Sequence, residues 1–229
     1  MTERREFFKR IAASGVVLAA SAADPLFAAA QAVNPPAPPG QGQATAWDDS
    51  WATALGAAKY KAVIDGPEVE DGTMFWYAHA WLEGCKQALG AADGEAAAAV
   101  VIRHSAIPLA YGDAIWAKYE LGKKLKIKDP VTDKKAVRNP YLSVPTGNTT
   151  VAWMIPLTIT ALAGRGVSFP CCNRATRFLA GQIAGWTKQE RNTVYEELKA
   201  NLVVGARLQP TGIYATMRAQ QVGAAFMRS

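Results

Sequence analysis

Short continuous apolar runs alternate along this chain with longer amphipathic stretches, a pattern that predicts strands separated by helices. Residues 60–64 read as a first strand closed by Asp65-Gly66-Pro67, and residues 73–89 as a helix stopped by Gly90. Residues 97–103 are apolar up to a final arginine, the pattern of a strand buried on both faces. A helix is expected over 113–125, followed by a lysine-, aspartate- and proline-containing excursion over the surface at 126–147. Asn148-Thr-Thr150 should cap a helix reaching Ala163, with a kink at Pro156.

The C-terminal third repeats the alternation. Residues 167–171 read as a strand and 174–184 as a helix. Thr187 with Glu190 three residues on has the form of a capping box for a polar helix. Residues 203–208 read as a strand, 211–221 as a helix and 224–227 as a last short strand, while residues 47–58 suit a short helix ahead of the first strand. The expected fold is a single α/β domain over 47–229, a mostly parallel five-stranded sheet flanked by helices on both faces. In such sheets ligands gather at the C-terminal ends of strands.

Residues 1–46 follow a different pattern. Thr2-Glu-Arg4-Arg5-Glu-Phe7-Phe8-Lys9 has the form of a twin-arginine export signal, followed by a modestly apolar stretch and small residues ending in Ala28-Ala-Ala30. Residues 1–30 are therefore expected to be a signal peptide, too weakly apolar for a stable membrane anchor. It would engage the twin-arginine translocase and place the mature protein in the periplasm. Residues 31–46 form a Pro/Gly-rich linker. The formal charge is +6, and removing four basic and three acidic residues with the signal leaves it near +5. This mild, dispersed charge, without a dense basic run or nucleic-acid motif, argues against nucleic acid as a partner.

Reactive chemistry has one obvious seat, the adjacent Cys171 and Cys172, where a strand runs into a helix. A thiolate at a helix's first turn is favoured by the dipole and by unpaired amides. Adjacent cysteines pair poorly, because their Cα atoms lie about 3.8 Å apart, short of the roughly 4.4 Å that a relaxed disulfide needs. Cys85, in a helical stretch, reads as a small buried hydrophobe. His104 and Asp65 fall at the ends of the two preceding strands, and an imidazole beside a thiol can take its proton. Asn173, Arg174 and Arg177 open the following helix, and cations placed against the dipole there suit an anionic partner. With two histidines and no Cys-x-x-Cys or His-x-His spacing, no cofactor or zinc site is expected; copper(I) on the paired thiols stays open.

Taken in order, several segments resemble the DsrE/DsrF-like sulfur-relay family. They are Val100-Val-Ile-Arg-His104, Asp113-Ala-Ile-Trp116 running to Gly122, and Ala163-Gly-Arg-Gly166-Val167-x-Phe169-x-x-Cys172-Asn173. Val203-Val-Gly205-x-x-Leu208-x-Pro210-x-Gly212-Ile213 and Ala219-Gln220-x-x-Gly223 complete the set. The resemblance implies a compact α/β domain that assembles into trimers or hexamers. It also implies a cysteine at position 172 that carries sulfur as a persulfide between a donor and an acceptor protein. Better-known members are cytoplasmic and lack both the extra Cys171 and the long insertion at 123–147. The expected function is thus an exported thiol protein that binds or relays sulfur through Cys172. Two other readings remain: a non-catalytic oligomeric accessory protein, and copper(I) handling by Cys171 and Cys172.

Overall fold

The computed structural model of this protein describes residues 47–144 and 149–229; the expected signal peptide, the linker and the cap at Asn148 lie outside the described residues. Five strands make one all-parallel sheet: β1 (Tyr60–Gly66), β2 (Ala96–Ile102), β3 (Phe169–Cys172), β4 (Ala206–Gln209) and β5 (Ala225–Arg228). Their order is β4-β3-β2-β1-β5. The expected α/β sheet with helices on both faces is what the chain forms.

The alternation of β1 and β2 explains the layers. Ala62, Ile64, Ala98, Val100 and Ile102 face the larger core, built with α2 (Thr73–Leu89), α6 (Asn173–Thr187) and α7 (Arg191–Ala200). Val63, Ala99 and Val101 face a smaller core closed by α1 (Ser50–Ala57) and α8 (Gly212–Gln221). The order dictates this split. From β1 to β4 the chain steps across the sheet in one direction, whereas β4 to β5 returns past the start. Right-handed crossovers therefore place α8 on the opposite face from α2 and α6.

The chain consequently leaves the neighbouring strands β3 and β4 toward opposite faces, opening a crevice at their C-terminal ends. Cys172 and Gln209 are register partners at that point.

Several elements depart from their expected form. The helix expected over 113–125 is two pieces, α3 (Asp113–Lys118) and α4 (Leu121–Lys124), broken at Glu120 with φ 47°. The break brings Gly122 against the Ala136 backbone, so closely that a Cβ there would collide with the Ala136 carbonyl. The helix expected to reach Ala163 is a 3-10 segment (Thr149–Leu157) followed by α5 (Ile159–Gly164). Pro156 cannot donate to a helical ladder, and Thr158 starts afresh as a cap, accepting from Ala161 N at 3.2 Å. Thr187 does not cap the polar helix. It ends α6, donating to Ile183 O, and Glu190 is itself the cap of α7, accepting from Thr193 N at 2.8 Å.

The expected surface excursion is more than surface. Asn139 is fully buried; its amide donates to Leu109 O and Tyr111 O, both at 2.9 Å, and its side-chain oxygen accepts from Tyr141 N at 3.1 Å. That single side chain ties the insertion to the segment following β2. Among the described residues no helix is long and apolar enough to cross a membrane.

Candidate functional site

The site assembles at the C-terminal ends of β1, β2 and β3. Asp65, inside β1 and 5% exposed, receives Arg103 from the residue after β2 in a two-pronged pair, Nε to Oδ1 at 2.6 Å and Nη2 to Oδ2 at 2.7 Å. Such a fork uses two of the five guanidinium N–H groups and leaves three for a ligand. The carboxylate beside it raises the affinity of Arg103 for its proton, and Arg103 and Cys172 line the same cavity. Arg103 fits because Gly212, the first residue of α8, has no Cβ: one would come within 2.6 Å of the arginine's Cβ and Cδ.

Cys172 ends β3 and caps α6. Its Sγ accepts from Ala175 N at 3.4 Å, so the sulfur occupies the helix N-terminus where partial positive charge is concentrated. Its carbonyl accepts from Thr176 Oγ1, which in turn accepts from the buried Tyr111 hydroxyl at 2.8 Å. Cys172 is 8% exposed, and that exposure opens onto a cavity of about 1130 Å³.

Cys171 behaves differently. Successive strand residues point to opposite faces, and Cys171 sits in the larger core, its Sγ donating to Phe169 O at 3.1 Å. Burial pushes its thiol well above the ordinary range. Burial raises that of Cys85 in α2 as well. All three cysteines of the chain are free and buried.

Other expected site residues take several positions. His104 lines the same cavity as Cys172, but its Nδ1 meets Glu68 Oε1 at 3.0 Å, and Glu68 also accepts from Ser105 Oγ. His104 holds φ 51°, a left-handed conformation that costs a non-glycine residue energy and turns the chain sharply at the cavity edge. Arg174 lines the cavity and makes no hydrogen bond or ion pair among the described residues. Arg177 turns away, its guanidinium stacked 4.1 Å from the Tyr195 ring centroid. Asn173 is buried and accepts from the Tyr195 hydroxyl at 2.8 Å, joining α6 to α7. Asp65 reaches the site only through Arg103.

Arg103 is a site residue that the sequence pattern presents only as the end of an apolar strand. Its signal is a charged residue directly after a run buried on both faces, with an aspartate near the end of the neighbouring strand. The insertion is a further part of the site not expected from its composition: Lys126, Ile127, Lys128 and Tyr141 line the cavity together with Cys172. Among the described residues no group of three or more His, Cys, Asp and Glu side chains could hold a metal ion.

Comparison with protein-family models, with curated proteins and with solved structures gives no match.

Proposed function

We propose that this is an exported thiol protein that handles sulfur species, with Cys172 as the sulfur-bearing atom. The observation that carries the reading is the position of the Cys172 sulfur: at the N-terminus of α6 and in the lining of a large cavity that Arg103 and Arg174 also line. The resemblance to the DsrE/DsrF-like family, and the expected oligomer and periplasmic address, supply its biological setting.

The step is a sulfur transfer. The Cys172 thiolate attacks the outer, sulfane sulfur of a donor such as thiosulfate or a persulfide. A new S–S bond forms to Cys172, the donor's own S–S bond breaks, and sulfite or the donor thiolate leaves with the electron pair. Arg103 and Arg174 offset the negative charge on the incoming and departing anions. The cysteine is left as a persulfide, ready for the reverse step onto an acceptor thiolate.

Incubation with polysulfide or thiosulfate should add about 32 Da, one sulfur atom, to the intact protein, and Cys172→Ser should abolish the addition. No adduct, or an adduct that survives the substitution, overturns the proposal. The accessory-protein reading predicts a Cys172 that resists thiol reagents until the chain unfolds. Copper(I) handling by the paired thiols would need both sulfurs on one ion, whereas Cys171 lies in the core and Cys172 lines the cavity.

A further inference from the structure

The cavity is far larger than an inorganic sulfur anion requires. About 1130 Å³ is just above the range of sites that hold drug-sized organic molecules, roughly 300–1,000 Å³. Thiosulfate or a short polysulfide would fill only the corner between Cys172, Arg103 and Arg174. The rest of the lining includes the apolar Leu125, Ile127, Tyr141, Phe178 and Leu179, with Lys126 and Lys128 interleaved.

Two of the lining side chains are left wet. Phe178 is 67% exposed and Ile213 66% exposed, large apolar groups at the cavity that the described residues leave uncovered. The lining carries charge of both signs, Lys126 and Lys128 as well as Glu68, Glu70 and Asp71. Within it Arg174 is unpaired among the described residues and Arg103 keeps three donors, so both can meet an anion in the cavity that Cys172 lines.

We infer that the cavity binds an organic sulfur compound: an apolar, preferably aromatic, body bearing an anionic group close to its sulfur. The anion lies on Arg103 and Arg174, the sulfur meets Cys172, and the body covers Phe178 and the Leu125–Ile127 wall. This rests on the sulfur-handling reading and narrows its donor from sulfur anions in general to organic persulfides of the form R–S–S⁻. Transfer then releases R–S⁻, which takes a proton from solvent, and leaves the persulfide on Cys172.

The test uses the full chain carrying Cys172→Ser, so that covalent chemistry is silent, titrated calorimetrically with anilinonaphthalene sulfonate. Methanesulfonate, the same anion without the body, is the control. Saturable binding of one aryl sulfonate per chain is expected, about tenfold or more tighter than methanesulfonate. Phe178→Ser and Arg174→Glu alter exposed side chains that the fold does not need, and each should weaken the aryl sulfonate about fivefold or more. Equal affinity for the two sulfonates, or variants that bind as well as the parent, overturns the inference. An adduct on wild-type Cys172 from thiosulfate without aryl binding defeats this inference and leaves the sulfur-transfer proposal standing. Aryl binding in the expected pattern without any adduct supports the ligand class and defeats the transfer.

Discussion

Asp65 grips Arg103 through two parallel hydrogen bonds of 2.6 and 2.7 Å, and in doing so fixes a guanidinium in the wall of the cavity that Cys172 lines. The carboxylate is almost fully buried and the guanidinium about one-quarter exposed, so removing the negative partner strands a partly desolvated positive charge. Asp65→Asn should lower unfolding free energy by about 2–3 kcal/mol, less than for a wholly buried pair because water still reaches Arg103. Urea denaturation measures it. Persulfide formation on Cys172 should slow several-fold in the same variant, because the released guanidinium no longer holds its place in the cavity wall.

Gly212→Ala tests the same arrangement from the other side. A methyl group there overlaps the near end of the Arg103 side chain, where the chain cannot swing clear without leaving Asp65. A cost of about 1–3 kcal/mol is expected, together with slowed thiol chemistry. A thermal melt indistinguishable from wild type would show that Arg103 is not confined as described.

Asn139→Ala removes two donated bonds to carbonyls and one accepted from Tyr141 N, all in a dry environment. The carbonyls of Leu109 and Tyr111 are left without that partner, and a loss of about 2–4 kcal/mol follows. Limited proteolysis should then cut within 126–144 faster, because this side chain holds the insertion to the Leu109 and Tyr111 carbonyls.

Stability should also fall on the alkaline side. Burial raises the proton affinity of Cys171, Tyr111 and Tyr141 in the folded chain above their ordinary values of 9.0 for the thiol and 10.0 for the phenols. Above those values the unfolded chain has lost protons that the folded chain keeps, so stability decreases with rising pH. The contribution is fully present below about pH 9 and drains away above it. Urea midpoints measured across this range should be flat and then descend. Cys171→Ala should shrink the earliest part of the descent, to which the buried Cys85 thiol also contributes.

Much of this fold was legible because its segments are locally consistent. Helix α2 runs from Thr73 to Leu89 and ends on Gly90 at φ 63°, as the periodicity and the glycine stop predict. The buried β2 run is readable for the same reason. What could not be read depends on contacts between distant segments. The break at Glu120 accompanies the close approach of Gly122 to Ala136, and the buried Asn139 donates to carbonyls of another loop.

The candidate site divides along the same line. The position of Cys172 at a strand–helix junction follows from local sequence. The partner of Arg103 is fixed by strand neighbours and by a glycine more than a hundred residues away. Arg177 and Asn173 are on the expected helix, but the helix phase and the Tyr195 ring draw both toward α7.

The separation of Cys171 and Cys172 onto opposite sides of the sheet governs what becomes of any oxidised sulfur at position 172. With Cys171 sealed in the core and Cys85 buried in α2, the folded chain offers no thiol of its own to discharge a persulfide or sulfenic acid. Discharge must come from a second molecule. The lifetime of the modified protein is therefore set by the concentration of an outside thiol able to enter the cavity, and its decay should follow second-order kinetics.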